Sequence, residues 1–286
     1  MPSTTASWAR TITSYEGIPQ VFAEFVPQME PFQYIIYSPP DRWGDRQANS
    51  KLTCMYQDRI VVLEVINNKA SEACYWFKDI NYIEQGTMLL YSWIGIHGMI
   101  DGKLSTSIVE YNAVVAHLFN RIVKTIRQVH LMPDNRDDDR ELSKLEFLNK
   151  LNYKFFNYSR ESILPGEKII DTVYQPAMYE KFLIVLKKIV TLAHLIILTD
   201  KEIIIIKDDE LVKIKKRYDF KHGGVWAYIP LDKIINMTIT VNEKKGLLIF
   251  VLSVKEEAIS LLFSALEQQD LEVLLREFKV ISKLDD

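Results

Sequence analysis

The fold is decided by the stretch LIILTDKEIIII, residues 195–206, in the second half of the chain. Two runs of four apolar residues flank the polar segment Thr199-Asp200-Lys201-Glu202, which is typical of two buried antiparallel strands joined by a tight turn. Further strand candidates follow at Trp226–Ile234, Met237–Val241, Leu247–Val251 and Ile259–Phe263. An amphipathic helix closes the stretch, with Asp270 as its expected N-cap and an apolar face made by Leu271, Leu274, Leu275, Phe278 and Ile281.

The first half of the chain repeats this order of elements. Lys51–Tyr56 and Arg59–Val65 are typical of the two arms of a hairpin that turns at Gln57-Asp58. Met88–Ile96 reads as one long apolar strand, and Asp101-Gly102 is the dipeptide of a tight hairpin turn. Asn112 is the expected N-cap of a closing helix, whose apolar face is Val115, Leu118, Phe119, Ile122 and Ile126.

The composition indicates a folded protein of a reducing compartment. Of its 286 residues, 48% are hydrophobic and 26% are charged, which argues against disorder. The net charge of −3 provides no global attraction to nucleic acid. Two cysteines, Cys54 and Cys74, make no disulfide framework, and the N-terminus has no signal-peptide pattern. We therefore expect a cytoplasmic protein with no nucleic-acid partner.

One charged segment separates the two halves. Residues 133–140 contain four Asp and two Arg, with proline as the only apolar residue. The sequence therefore predicts a first domain at 1–132 with an N-terminal extension, a charged linker with a short helix at 133–154, and a second domain at 155–286. The aspartates lack the other ligands and the fixed turn of a calcium loop, so we interpret them as a solvated linker.

The two halves share an order of elements rather than a sequence. Trp76 and Trp226 lie on corresponding strands, and Phe77–Asn81 corresponds to Leu231–Ile235. Gly86 is matched with Gly246. Seven strands and then a helix, twice, predict a mainly β, α+β chain with two bent antiparallel sheets. Each sheet would close into a barrel whose open end is capped by the amphipathic C-terminal helix.

Three segments of the second half resemble the bacterial pleckstrin-homology-like, or GRAM-like, domains: Leu164–Lys168, Leu198–Ile203 and Tyr228–Ile234. They cover strand ends and turns within about 130 residues, and the first half resembles the group only in element order. The resemblance implies tandem seven-stranded barrels, each capped by a helix, in a bacterial protein. It implies no catalytic motif.

The resemblance also indicates where a phosphoinositide site would lie. In those pleckstrin-homology domains that bind phosphoinositides, basic residues lie on and between the first two strands. The corresponding loops here are 40–46 and 176–181, and both have nearly balanced charges. The resemblance therefore does not extend to that basic signature.

The strongest basic cluster lies elsewhere. Lys213, Lys215 and Arg217 would share one side of a strand, with Lys216 and Lys221 beside them. Such a cluster could hold a phosphate-bearing headgroup or an acidic partner, or it could be a solvated hairpin whose charges protect a sheet edge. Trp43, between Pro-Pro and Gly, is either an exposed partner contact or a ring packed back onto the sheet.

No catalytic or metal motif stands out. The five histidines lack metal-binding spacing, and there is no nucleophile elbow, P-loop or dinucleotide fingerprint. We therefore expect a non-catalytic binding or scaffolding protein with a protein partner and no cofactor or metal. Two alternatives remain: a peripheral binder of anionic lipid headgroups, and an enzyme with a site between the two domains. Edge strands would also allow self-association into a homo-oligomer.

Overall fold

The chain folds into two compact units of antiparallel sheet. A computed structural model describes residues 8–26, 34–44, 46–129, 138–181, 187–208, 223–242 and 246–282. Unit 1 is Met1–Val129 and unit 2 is His130–Asp286. The protein is thus α+β and mainly β, as the sequence predicts. In the described part of the chain, no helix is long and apolar enough to cross a membrane.

Unit 1 contains ten described strands and two α-helices. In chain order these are β1 (Arg10–Ile12), α1 (Gln20–Ala23), β2 (Tyr34–Ser38), β3 (Asp41–Trp43), β4 (Arg46–Ala48), β5 (Lys51–Met55), β6 (Arg59–Ile66), β7 (Lys69–Trp76), β8 (Ile80–Met88), β9 (Tyr91–Ile100), β10 (Lys103–Asn112) and α2 (Ala116–Gln128). One sheet has the order β1-β2-β5-β6-β7, and β8, β9 and β10 form a meander. The small hairpin β3–β4 lies between the first two long strands in the chain.

Helix α2 packs its apolar stripe on the inner face of this meander. Phe119 stacks on Tyr111 with ring centroids 3.8 Å apart, and Ile122 and Ile126 are buried beside them. The Asn112 side chain accepts a hydrogen bond from the Val114 N–H, so the predicted capping residue does cap, through a short 3-10 turn that precedes the helix.

Unit 2 contains four described helices and nine described strands. In chain order these are α3 (Asp138–Ser143), α4 (Glu146–Leu151), α5 (Tyr153–Ser162), β11 (Ile169–Gln175), β12 (Met178–Lys181), β13 (Lys187–Thr191), β14 (His194–Thr199), β15 (Glu202–Asp208), β16 (Gly223–Pro230), β17 (Ile234–Asn242), β18 (Leu247–Val254), β19 (Glu257–Ser264) and α6 (Gln268–Ile281). Neighbouring strands pair in the orders β11-β14-β15-β16 and β17-β18-β19. Residues 138–151, which the sequence predicts to belong to a charged linker with a short helix, form α3 and α4.

The stretch 195–206 forms the predicted hairpin. Strand β14 pairs with β15 in a register that places Leu198 opposite Ile203. All eight aliphatic residues of the two runs are fully buried, which explains why the strands read as continuous apolar runs rather than as alternating ones. The Thr199 hydroxyl holds the turn by accepting a hydrogen bond from the Glu202 N–H at 2.9 Å, and it donates to a Glu167 carboxylate oxygen at 2.7 Å.

Three local predictions are wrong. Met88–Ile96 is not one strand, because β8 ends at Met88 and the chain turns at Leu89-Leu90. Gly86 lies inside β8, where the Trp93 ring occupies the space of a Cβ atom, so it is not the counterpart of the turn residue Gly246. Asp270 lies in the first turn of α6, which follows a 3-10 turn capped by the Ser264 hydroxyl.

Candidate functional site

The structure describes one of the six predicted site residues. Lys213, Lys215, Lys216, Arg217 and Lys221 lie outside the described residues. Trp43 is on β3 and is half-buried, with its ring 5.1 Å from that of Tyr91 in an edge-on contact. It thus packs onto β9 within unit 1. This matches the second of the two alternatives that the sequence leaves open for this ring.

Trp43 belongs to an aromatic cluster on the outer face of the meander. The Tyr91 ring stacks on Trp93 at 5.2 Å, and the Arg46 guanidinium lies 4.7 Å from the centre of the Tyr91 ring. Burial raises the pKa of the Tyr91 phenol, while the neighbouring Arg46 acts in the opposite direction. The hairpin β3–β4 is therefore attached to the meander by stacking and by a cation–π contact.

An exposed apolar tip adjoins this aromatic cluster. Leu89 and Leu90, in the turn between β8 and β9, are 62% and 59% exposed, and Val114 is 53% exposed. The Ala113 N–H donates to the Leu90 carbonyl at 2.8 Å, which holds the 3-10 turn against the hairpin. Three large apolar side chains thus face solvent at one corner of unit 1.

A cleft of about 670 Å³ lies beside β7 in unit 1, and we call it the Trp76 cleft. It is lined by residues of β7, of the 3-10 turn that follows it and of the β9–β10 hairpin: Glu72, Cys74, Trp76, Lys78, Asp79, Met99, Ile100, Asp101 and Gly102.

The alternation of β7 explains its contribution to the cleft. Glu72, Cys74 and Trp76 are two residues apart and therefore share one face of the strand. Tyr75 points the other way and is fully buried, with its hydroxyl 3.1 Å from the Ser105 hydroxyl and 2.9 Å from that of Ser107. These bonds connect β7 to β10 through the interior and fix the distance between the two walls.

Two glycines shape the opposite wall. A Cβ atom on Gly98 would lie 2.6 Å from the Asp79 carbonyl oxygen, so β9 approaches the 3-10 turn closely there. Gly102, with a φ of 74°, completes with Asp101 the tight turn that the sequence predicts. The turn brings the Asp101 carboxylate to the rim.

The lining of the cleft is net acidic. Glu72, Asp79 and Asp101 supply three carboxylates, and Lys78 is the one basic lining residue. Trp76 is 44% exposed, although the Arg59 guanidinium lies 5.2 Å from the centre of its ring. Arg59 pairs with Trp76 across the β6–β7 ladder and with the Asp58 carboxylate at 3.1 Å. An aromatic ring is therefore held in place at the edge of an acidic cleft, half open to solvent.

The two thiols of the chain have different surroundings. Cys74 lines the cleft and is half-buried, whereas Cys54 is buried on β5. Burial, with a smaller contribution from Glu72, raises the pKa of the Cys54 thiol to about 12. Since the thiolate is the nucleophile, Cys54 is expected to be inert and Cys74 to report on the cleft.

Sequence reasoning used Trp76 only to align the two halves and did not identify the cleft. The available signal was the period of two in β7, which places Glu72 and Trp76 on one face. The second wall is supplied by residues about 25 positions further along the chain, and their approach depends on tertiary packing.

Comparisons with known proteins provide no further assignment. Neither the scan against protein-family models nor the search of curated proteins found a match. Within the described ranges, no three His, Cys, Asp or Glu side chains are grouped so as to hold a metal ion. Among the described residues, the cleft and the apolar tip are the features that we consider for a function.

Proposed function

We propose that the chain is a non-catalytic binding protein built from two pleckstrin-homology-like units, and that unit 1 binds an extended, basic segment of a partner protein in the Trp76 cleft. The observation that carries the proposal is the half-exposed Trp76 ring within a net acidic lining. A protein partner is favoured because both features suit a peptide side chain.

The order of elements supports the pleckstrin-homology-like assignment. In unit 1, the four strands β2, β5, β6 and β7 precede the meander β8–β10 and the helix α2. In unit 2, β11, β14, β15 and β16 precede β17–β19 and α6. Four strands, a three-stranded meander and a closing helix are the plan that the resemblance implies.

The chemistry of the cleft supports a basic segment. Glu72, Asp79 and Asp101 would attract Lys or Arg side chains of a partner and repel acidic ones. A tryptophan ring accepts cations on its face and contributes a large contact area at little cost in side-chain entropy. A volume of about 670 Å³ suits a few side chains rather than a folded domain.

Protection of Cys74 from alkylation tests this proposal. A short peptide of alternating lysine and threonine should slow the reaction of Cys74 with iodoacetamide, and the matched peptide of glutamate and threonine should not. Trp76→Ala should abolish protection, whereas Trp43→Ala, in the other aromatic site of unit 1, should leave it intact. Equal protection by the two peptides, or protection that survives Trp76→Ala, would contradict the proposal.

A second candidate function rests on the apolar tip. Leu89 and Leu90 would enter the surface of a membrane while Trp43 and Tyr91 lie at the interface and Arg46 faces anionic headgroups. Sedimentation with vesicles containing phosphatidylserine distinguishes this candidate. Binding that is lost in Leu90→Ser but kept in Trp76→Ala would support it, and no binding at low salt would reject it.

A further inference from the structure

Strand β17 is an exposed sheet edge without a charged residue. It is the end strand of β17-β18-β19 and carries the sequence Ile234-Ile235-Asn236-Met237-Thr238-Ile239-Thr240-Val241-Asn242. The other end strands of the sheets β1-β2-β5-β6-β7 and β17-β18-β19 are β1, β7 and β19, and each contains at least one charged residue. Charges on edge strands prevent unwanted pairing, so β17 lacks a common protection.

The side chains of β17 are more exposed than those of its counterpart β8 in unit 1. In β8, the four residues Ile80–Ile83 are all buried. In β17, Ile235 and Val241 are 64% and 62% exposed, and Asn236, Thr238 and Thr240 are also exposed. A strand rich in β-branched residues therefore presents most of its side chains to solvent, and no described strand pairs with its outer edge.

The regular part of β17 reads almost the same in both directions. After a register shift between Ile234 and Asn236, the ladder with β18 runs without interruption from Asn236 to Asn242. Its letters are NMTITVN, with Ile239 at the centre. Around Ile239, threonine mirrors threonine, asparagine mirrors asparagine, and Met237 mirrors Val241.

This symmetry matters because an antiparallel strand and its own copy pair around a two-fold axis. Each residue then lies opposite the residue at the mirrored position. Pairing β17 with itself around Ile239 would place Ile opposite Ile, Thr238 opposite Thr240, and Met237 opposite Val241. Cross-strand pairs of β-branched residues and of threonines are favourable, and no like charges meet.

We propose that β17 is a self-recognition edge, through which two copies of the chain pair antiparallel around Ile239. The three strands β17-β18-β19 of each copy would then continue as one sheet. Met237, Ile239 and Val241 would extend the apolar inner face across the axis, and Asn236, Thr238, Thr240 and Asn242 would form a polar outer face. This interface is independent of the Trp76 cleft, which lies in unit 1.

A charge-swap experiment tests the pairing and its register. Sedimentation velocity of the full chain over a concentration series should show a monomer–dimer equilibrium. Thr238→Lys with Thr240→Lys places lysines opposite lysines and should abolish the dimer. Thr238→Lys with Thr240→Glu places each lysine opposite a glutamate and should preserve it. Both threonines are exposed, so neither double variant places a charge in the core of the unit.

Three further variants keep the test independent of folding. Ile108→Lys, at an exposed position of the end strand β10, should leave the dimer unchanged. In a Cys74→Ser background, Ile239→Cys should give a disulfide-linked dimer on mild oxidation, because the new thiol faces its own copy, and Thr240→Cys should do so far less. A wild-type chain that stays monomeric, or double variants that behave alike, would overturn the proposal.

Discussion

Units 1 and 2 share a pattern of backbone hydrogen bonds, but they bury different polar side chains at the equivalent position of that pattern. The Val65 N–H donates to the Ser50 carbonyl in unit 1, and the Asp208 N–H donates to the Ala193 carbonyl in unit 2. Those carbonyls immediately precede Lys51 and His194, the first residues of β5 and β14. The two residues are therefore at equivalent positions, and both are buried.

The backbones of the two units agree in other details as well. The first residue of each 3-10 turn donates to a hairpin carbonyl: Phe77 to Asp58, and Leu231 to Lys201. The ladder register shifts directly after each turn, between Ile80 and Tyr82 in unit 1 and between Ile234 and Asn236 in unit 2. Agreement in hydrogen bonds and bulges, where the sequences differ, favours an origin by duplication.

Lys51 and His194 are stabilised in different ways: the lysine by ion pairs, and the histidine by a hydrogen bond and ring packing. In unit 1, the Lys51 ammonium lies 2.6 Å from a Glu110 carboxylate oxygen and 3.2 Å from one of Glu64. In unit 2, the His194 ring has its Nδ1 2.9 Å from the Leu192 carbonyl oxygen, and its edge packs on Phe263 with ring centroids 4.6 Å apart. Burial lowers the pKa of His194 to about 4, so the imidazole is neutral at neutral pH. The same backbone position thus holds a lysine paired with carboxylates in unit 1 and an uncharged imidazole in unit 2.

The largest expected effect comes from breaking the charge pair in unit 1. Glu110→Ala leaves the Lys51 ammonium, whose side chain is 5% exposed, with Glu64 as its remaining carboxylate. We expect a loss of about 3 kcal/mol in the free energy of unfolding. Native-state hydrogen exchange in β5 measures it, with β14 as the internal control. Replacing both partners, as Lys51→Met with Glu110→Leu, should cost much less; an equal loss would contradict a charge-based role.

The next effect is a pH dependence confined to unit 2. In the unfolded chain His194 binds a proton near the ordinary histidine pKa of 6.5, whereas in the folded chain it does so only at about 4. Between these values the unfolded state carries more protons, so the stability falls as the pH falls. The full difference is about 3 kcal/mol, reached below pH 4. Hydrogen exchange in β14 across this pH range measures the dependence, which His194→Gln should remove. If stability changes with pH in the same way in the variant and the parent chain, the prediction is wrong.

A third effect concerns a position at which the two units differ in packing. Ile80 pairs with Gly98, while its counterpart Ile234 pairs with the buried Val254. Because a Cβ on Gly98 would collide with the Asp79 carbonyl, Gly98→Ala should destabilise unit 1 by about 2 kcal/mol. Urea denaturation measures this loss. If the variant is as stable as the parent chain, the 3-10 turn can move away from the new Cβ atom without loss of free energy of unfolding.

The smallest effect concerns the matched helix caps. The Asn112 side-chain amide oxygen and the Ser264 hydroxyl each accept a hydrogen bond from a backbone N–H two residues later, at 3.1 and 3.2 Å. Asn112→Ala and Ser264→Ala should each cost about 1 kcal/mol in the free energy of unfolding, measured by denaturant titration. Clearly unequal losses would show that the two caps are not equivalent.

Local sequence signals predicted much of this fold. The runs at 195–198 and 203–206 identify a hairpin because both faces of the strands are buried. Asn112 and the Asp101-Gly102 turn were predicted because their roles are decided within a few residues. The match of Gly86 with Gly246 is wrong because Gly86 must be glycine for a tertiary reason, the Trp93 ring across the ladder.

The candidate site was less predictable than the fold. Trp76 and Asp101 lie on different elements, and only tertiary packing through Tyr75 makes them neighbours across a cleft. Trp43 could be located in sequence but not assigned to one of its two roles, because Tyr91 is distant in the chain. Composition draws attention to segments with many charges, such as 213–217. The cleft is instead formed by residues that are far apart in the sequence.

The most direct test of the central claim is hydrogen–deuterium exchange of the full chain with the lysine–threonine peptide. Bound peptide should slow exchange in β7 and in the turn at 99–102, which line the cleft. It should leave β16 and the β18–β19 turn at 253–256, the corresponding region of unit 2, unchanged. Absence of protection in β7, or equal protection by the glutamate–threonine peptide, would contradict the proposal that the Trp76 cleft is a binding site for basic segments.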